Sequence, residues 1–345
     1  MTTGALPKRL GFFTRLLDET DAADRYRLAT AQIVHAENAG FDSAWIAQHH
    51  FHEAEGGLPS PFVFLAHAAA ATRRIRLGTG IVTLPLELPV RVAEDAAVLD
   101  LLCEQRLEVG VGPGGNLTAF TAFGRDSRDR HLLMNANLDL MRTAWSGGAL
   151  PGGDRLYPSS PGLADRIWQA TFSVEGARRA GAAGDGLMLS RTQPRSPEAP
   201  QASLADIQLP MIDAYCEALP AGREPRILAS RTIFAIDDTR DAIRFAEWGL
   251  PRLVNKRAAA GGPAPKGSVH DLIKAFDVHL GTPQEVIESL LKDATLARST
   301  DITMQVHSID PPHPFILRSI ELMAEKVAPA LGWAPATASG ERLVA

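Results

Sequence analysis

Cysteine is nearly absent: 345 residues contain Cys103 and Cys216 and no others, and they lie far apart in the chain. That excludes a disulfide framework and a cysteine-rich metal site, and it suits a reducing cytoplasm. No apolar run reaches the ~18 residues a membrane span needs. The start, Met1 to Arg9, lacks the apolar core of a signal peptide. There is no basic run or stripe either. Lys and Arg number 35 against 40 Asp and Glu, a formal net charge of -5, which argues against nucleic acid as the main partner. Beyond the alternation described next, no internal repeat is evident. The expectation is a soluble, cytoplasmic protein that engages neither membrane nor nucleic acid.

What is present is a rhythm. The chain is 45% hydrophobic and 22% charged, which suits one large domain or two ordinary ones. Strand signals fall at Leu10–Thr14, Phe41–Ala47, Ile75–Leu84, Leu107–Val111, Ile167–Phe172, Gly186–Ser190, Arg226–Ala235 and Ile302–Val306. Between them lie helical patterns at Asp21–Gly40, Pro61–Thr72, Val90–Leu102, Asp129–Trp145, Val174–Gly184, Leu204–Leu219 and Asp238–Trp248, with Pro314–Ala328 last. Thr282-Pro283-Gln284-Glu285 reads as a capped helix start. Strand and helix in alternation predict a parallel sheet, and eight units predict a closed (β/α)8 TIM barrel spanning the chain as one domain. Two segments break the alternation, Pro-rich 191–203 and Ala-, Gly- and Pro-rich 256–268. Both read as long mobile loops, and the first as a lid.

A parallel barrel builds its site at the carboxyl ends of its strands. That rule draws attention to Ala44-Trp45-Ile46-Ala47-Gln48-His49-His50-Phe51, an apolar strand ending in two titratable side chains. Neighbours on a strand face opposite ways, so at most one of the pair is expected to enter the mouth. A catalytic and a structural histidine are both open. Gly110-Val-Gly112-Pro-Gly114-Gly115 matches a dinucleotide fingerprint, but three strand–helix units precede it and Pro113 removes an amide. The alternative is a tight loop that lets a flat ligand or phosphate approach the backbone. His50-Phe-His52 resembles a metal motif, with His307 a possible further ligand, but the strand ends at 112 and 172 offer none, and no metal is expected. Ser173, followed by Val174, Glu175 and Gly176, is either a helix cap or an anion site at a helix N-terminus. A mouth lined by Phe51, Phe120 and Trp168 with few charges is expected, which favours an apolar substrate such as an aldehyde.

Taken together these stretches resemble the luciferase-like flavin monooxygenase family, with the α subunit of bacterial luciferase as the member followed most. Three segments carry the resemblance: Ala39-Gly-Phe-Asp-Ser-Ala-Trp-Ile-Ala-Gln-His49-His50-Phe51; Gly78-Thr79 to Leu84-Pro85 with Pro89-Val-Arg91-Val-Ala-Glu94-Asp95 and Leu99-Asp100; and Arg106-Leu-Glu-Val-Gly110. Weaker likeness runs through Phe123-Gly124, Ser173 and Leu189-Ser190 to the final helix. The resemblance implies a barrel that binds FMN and uses it, reduced, with dioxygen. It puts the catalytic histidine at His49 and a non-prolyl cis peptide at Gly80-Ile81, next to Thr79 and beneath the flavin ring. Backbone at Gly112 and Gly114 would approach that ring. Ser173 falls on a phosphate contact, and Gly176 on one that is usually a hydroxyl residue.

There are departures. The family's phosphate-binding Arg is Pro113 here, and its acidic residue before Ser173 is Phe172. Arg191 either supplies the missing charge or is a solvated loop residue. The reactive cysteine of luciferases falls at Gly112, so light emission is not implied. With no NAD(P)H domain visible, a separate flavin reductase is the implied source of reduced FMN. Helices Pro61–Thr72 and Val90–Leu102 are the implied faces of a homodimer. A deazaflavin-dependent oxidoreductase, or a flavin-binding protein without oxygenase activity, are the other readings.

Overall fold

Strands buried on both faces read as near-continuous apolar runs whose few polar side chains must find partners, and this requirement sets the architecture. The computed structural model describes residues 8–259 and 264–333. In chain order its strands are β1 (Arg9–Thr14), β2 (Ser43–Ile46), β3 (Arg76–Thr79), β4 (Val82–Thr83), β5 (Leu107–Gly112), β6 (Ile167–Ala170), β7 (Gly186–Leu189), β8 (Ile227–Ala235), β9 (Val278–Gly281) and β10 (Asp301–Gln305). Every residue of β2, β5, β7, β8 and β10 is buried. The pairings are all parallel, and β10 joins β8 to β1, so the sheet closes. Because β3 and β4 occupy one position, the ring has eight staves: β1, β2, β3/β4, β5, β6, β7, β8 and β10. This is the expected (β/α)8 barrel.

Several boundaries differ from the sequence reading, each for a physical reason. The run Ile75–Leu84 is not one strand. The cis peptide Gly80-Ile81 divides it, and the chain then pairs again with β5 before a 3-10 turn at Leu84–Leu86. The second strand stops at Ile46 rather than Ala47, and Gln48 takes over: its Oε1 accepts from the Thr83 amide at 2.7 Å, its Nε2 donates to Glu87. Strand β9 was not foreseen. It pairs with the far half of β8, from Thr232 to Ala235, outside the ring. The helix at Asp238–Trp248 instead spans Thr239–Ala259 and runs through Pro251. A proline in a helix interior costs about 3 kcal/mol. Tertiary contacts offset it here: Leu250 is buried, and a Cβ on Gly249 would lie 2.4 Å from the Ile309 carbonyl, so that helix presses directly on the chain after β10. Residues 256–259 of the expected second loop are therefore helical, and 260–263 lie outside the described residues. The helix foreseen at Thr282 begins there with a capping box: the Thr282 hydroxyl accepts from the Glu285 amide, and the Glu285 carboxylate accepts from the Thr282 amide.

The inside of the barrel ends in an aromatic plug. Trp45 and Trp168 meet edge to face with ring centroids 5.6 Å apart. Around them pack Met188, Leu228, Phe13, Ile81 and Ala170, which form the floor of the site.

Candidate active site

Above that floor, at the carboxyl ends of the staves, lies a cavity of about 820 Å³. That volume suits a cofactor together with a small substrate. His49, His50, Gly80, Ile81, Gly114 and Arg191 all line it. Thr79, Gly112 and Ser173 to Gly176 do not. Thr79 lies beneath: its hydroxyl donates to the Gly110 carbonyl at 2.8 Å and accepts from the Gly110 amide at 2.9 Å. A Cβ on Gly110 would sit 2.1 Å from the Thr79 carbonyl, so the first glycine of the motif serves strand contact. Gly114, at φ +78, turns the chain beside Thr83. The glycine run is a turn at the cavity edge, and the dinucleotide reading falls away.

Both histidines reach the cavity, against the expectation that one would turn aside. Strand alternation has ended at Ile46, and Phe51 has a positive φ of 67, so neighbouring side chains no longer alternate. The two rings nevertheless differ. His50 is 8% exposed, stands edge-on to Phe123 at 4.8 Å, and leaves Nε2 without a hydrogen-bond partner among the described residues. His49 places Nδ1 3.7 Å from the Glu55 carboxylate. Glu55 in turn accepts from Asn116 at 3.1 Å and pairs with Lys256 at 3.4 Å. Burial holds the His49 pKa below 6.5, with Glu55 pulling it up and Arg15 and Lys256 pushing it down. Glu55 is held down at about 2, chiefly by His49 and then by Lys256. At neutral pH the site therefore contains a neutral imidazole against an ionised carboxylate.

Across the mouth, β6 leads into the helix Val174–Ala182. The Ser173 hydroxyl accepts from the Gly176 amide at 3.1 Å, a helix cap, and lies 3.4 Å from the Thr171 hydroxyl. A Cβ on Gly176 would be 2.0 Å from Thr171 Oγ1. The missing hydroxyl at 176 is thus replaced in space by Thr171. The amides of Val174 and Glu175 open the helix, where an anion is favoured. Phe172, next in the chain to Ser173, is exposed and lines the cavity.

Arg191 points elsewhere. It is 5% exposed, and its guanidinium donates to Thr232 Oγ1 at 3.1 Å and Ser308 Oγ at 3.4 Å, toward β8 and the chain after β10. The solvated-loop alternative is excluded by this burial. Arg15, at the end of β1, donates to the Glu55 carbonyl and has a buried Nε without a partner among the described residues. The expected apolar mouth is corrected in consequence. Phe51 is exposed, Trp168 lies under the floor, and Phe120 packs behind Leu86 and Ala119; none of the three lines the cavity, whereas Arg15, Glu55, Arg191 and Lys256 do. Nor do the suspected metal ligands converge. His307 is bonded to Asp310 at 2.7 Å, and among the described residues no three His, Cys, Asp or Glu side chains are placed to hold a metal ion.

Comparison with known proteins decides the family. Residues 10–297 match the model of the luciferase-like monooxygenases. The chain belongs to this family. Among relatives of this luciferase-like chain, the uncharacterised y4vJ of Sinorhizobium fredii is 27% identical over 90% of the chain and 93% of its own length. The alkanal monooxygenase alpha chain of the Kryptophanaron alfredi symbiont is 39% identical over a shorter stretch, 31% of this chain and 29% of the relative. The monooxygenase RslO1 of Streptomyces bottropensis superposes with a TM-score of 0.76 at 26% identity, covering 94% of this chain and 99% of RslO1. The oxygenating constituent of 3,6-diketocamphane monooxygenase from Pseudomonas putida, in complex with FMN, shares the fold at 0.74 and 20% identity, over 94% and 98%. An F420-dependent secondary alcohol dehydrogenase shares it at 0.66 and 19%, over 94% and 99%. The chain is thus a luciferase-like oxidoreductase of the flavin-dependent monooxygenase kind.

Three side chains of this luciferase-like site carry no sequence signal. Glu55 ends the short 3-10 turn Glu53–Glu55, Lys256 lies in the last turn of the helix Thr239–Ala259, and Arg15 one residue past β1. Each is an ordinary surface charge by its neighbours in sequence. Their convergence on His49 or Arg191 is tertiary.

Proposed function

We propose that this chain binds FMN in the cavity, receives it reduced from a separate flavin reductase, and oxygenates a small organic substrate with dioxygen. The observation that carries this reading is the neutral His49 buttressed by Glu55 above an apolar floor, in a member of this family. The residues fit the cofactor. The floor of Phe13, Ile81 and Met188, with the backbone of Gly80 and Gly114, offers a flat surface for the ring. Thr79 and Gly112 support that surface from below, Gly112 against the Ile81 side chain. The nook of Thr171, Ser173 and the amides of Val174, Glu175 and Gly176 would take the phosphate, standing in for the absent arginine and acidic residue.

Bound reduced flavin supplies the electrons that activate dioxygen. The chain's own work is simpler. His49 is oriented through Nδ1 by Glu55, which leaves Nε2 to accept or donate one proton at the reacting centre. The apolar floor keeps water from that proton. Loop 191–203, whose first two residues line the cavity, closes over the bound ligands. The protein works in the cytoplasm as a homodimer.

The test is cofactor titration of purified protein. FMN should bind in preference to FAD, since no second nucleotide fingerprint exists, and oxygen uptake should follow addition of reduced FMN. FAD or a deazaflavin bound about tenfold more tightly than FMN would overturn the choice of cofactor.

A further inference from the structure

We infer that the substrate is an organic carboxylate, held by Arg191 and Arg15 on the side of the mouth opposite the flavin phosphate. The inference rests on the flavin reading above and deepens it. Its basis is one buried guanidinium, Arg191, and one partly buried, Arg15 with its Nε sealed from solvent, that line one cavity without a carboxylate to pair with. Among the described residues no Asp or Glu oxygen lies within ion-pair distance of either. Arg191 has two hydroxyl partners and Arg15 a carbonyl. Two carboxylates stand nearby, and both are engaged: Asp310 by His307 at 2.7 and 3.0 Å, and Glu55 by His49, Lys256 and Asn116. A guanidinium keeps its proton in proteins, so it cannot escape burial by neutralising. Burial and the nearby Arg15 press the Arg191 pKa down to about 9, which still leaves it charged at neutral pH. A fold holds a cation in that condition where an anion arrives to complete it.

Position identifies the anion. In the ring of eight staves β6, which leads to the Ser173 nook, is the fifth from β1 and lies across the barrel from it. Arg15 follows β1, and Arg191 leans toward β8 and the chain after β10, away from β6. One phosphate cannot serve both sides. The nook takes the flavin phosphate, and the arginine pair takes a second anion. Between them lie Phe13, Ile81, Met188 and Leu228, which suit an apolar body. A planar carboxylate matches the guanidinium fork.

The experiment uses the full chain, with and without FMN, and two probes of equal length, octanoate and 1-octanol. Wild type should bind octanoate about tenfold or more tightly than octanol, and Arg191→Gln should weaken octanoate by about tenfold or more. Arg191→Lys should recover part of that loss. FMN affinity should change less than about threefold in Arg191→Gln, and the empty variant should melt no lower than wild type, because an unpaired buried charge has gone. Ser173→Ala should weaken FMN but not riboflavin. Octanoate binding no better than octanol overturns the inference. So does an Arg191→Gln variant that loses FMN while keeping riboflavin, since the arginines would then hold the phosphate. If wild type binds neither FMN nor riboflavin, the flavin reading fails instead, and octanoate binding to the empty protein still judges the arginine pair.

Discussion

At the scale of single residues, His49 and His50 are adjacent and unequal. His49→Ala should leave FMN binding nearly intact, because the imidazole faces Glu55 and the reacting centre. It should slow substrate oxidation by roughly 100-fold, the usual scale for a positioned acid or base, and raise the yield of hydrogen peroxide. His50→Ala should mainly lower the melting temperature, since that ring packs on Phe123. The pH profile carries a sign. A base that must be neutral loses function as pH falls through its folded pKa, which burial keeps below 6.5. Glu55 pulls that pKa upward, so Glu55→Gln should move the acid limb lower still and slow turnover as the imidazole loses its orientation. Single-turnover rates across pH for the three variants check this. Equal rates in wild type and His49→Ala would place the chemistry elsewhere.

At the scale of elements, the loop after β7 is tethered at its start and free beyond. Arg191 and Gln193 are buried, Arg195 pairs with Asp277 at 2.5 Å, and 196–201 are exposed. Amide exchange over 194–202 should be fast in the empty protein and slowed by saturating FMN; no change would sink the lid. The same scale shows what the sequence made legible. The eight staves stood out because strands buried on both faces are near-continuous apolar runs, as in Gly186–Leu189. Strand β9 did not, being four residues with a histidine in the middle and a single partner in β8. The helix Thr239–Ala259 is not legible past Trp248, because Pro251 is a local stop signal that only packing on the chain after β10 overrides. The division of Ile75–Leu84 leaves no trace in propensity, and it was the family resemblance that pointed to Gly80-Ile81. In the site, backbone-shaped positions such as Gly80 and Gly114 and the strand-end His49 were legible. The charges that tune them were not, since Lys256 and Glu55 are 201 residues apart and meet through the fold.

For the whole molecule, the helices Pro61–Ala71 and Pro89–Leu102 pack side by side, and several of their apolar side chains are uncovered. Val63 is 74% exposed and Leu102 67%, with Leu88, Val98 and Leu101 also bare. Exposed apolar side chains of this kind fit the homodimer proposed above. The protein should scatter light as a homodimer at micromolar concentration. The pair Val63→Glu and Leu102→Glu should convert it to a monomer with unchanged circular dichroism; a monomeric wild type would refute the assignment. The tryptophan plug beneath the cavity gives the flavin titrations a common signal. Trp45 and Trp168 are sealed from solvent, held at a fixed 84° to one another, and separated from the proposed ligand by a single layer of side chains. Rigid, dry indoles emit at short wavelength, and an isoalloxazine ring absorbs in that range. Flavin entering the cavity should therefore dim the emission by energy transfer, so that the barrel's own ultraviolet fluorescence reads flavin occupancy without any attached dye.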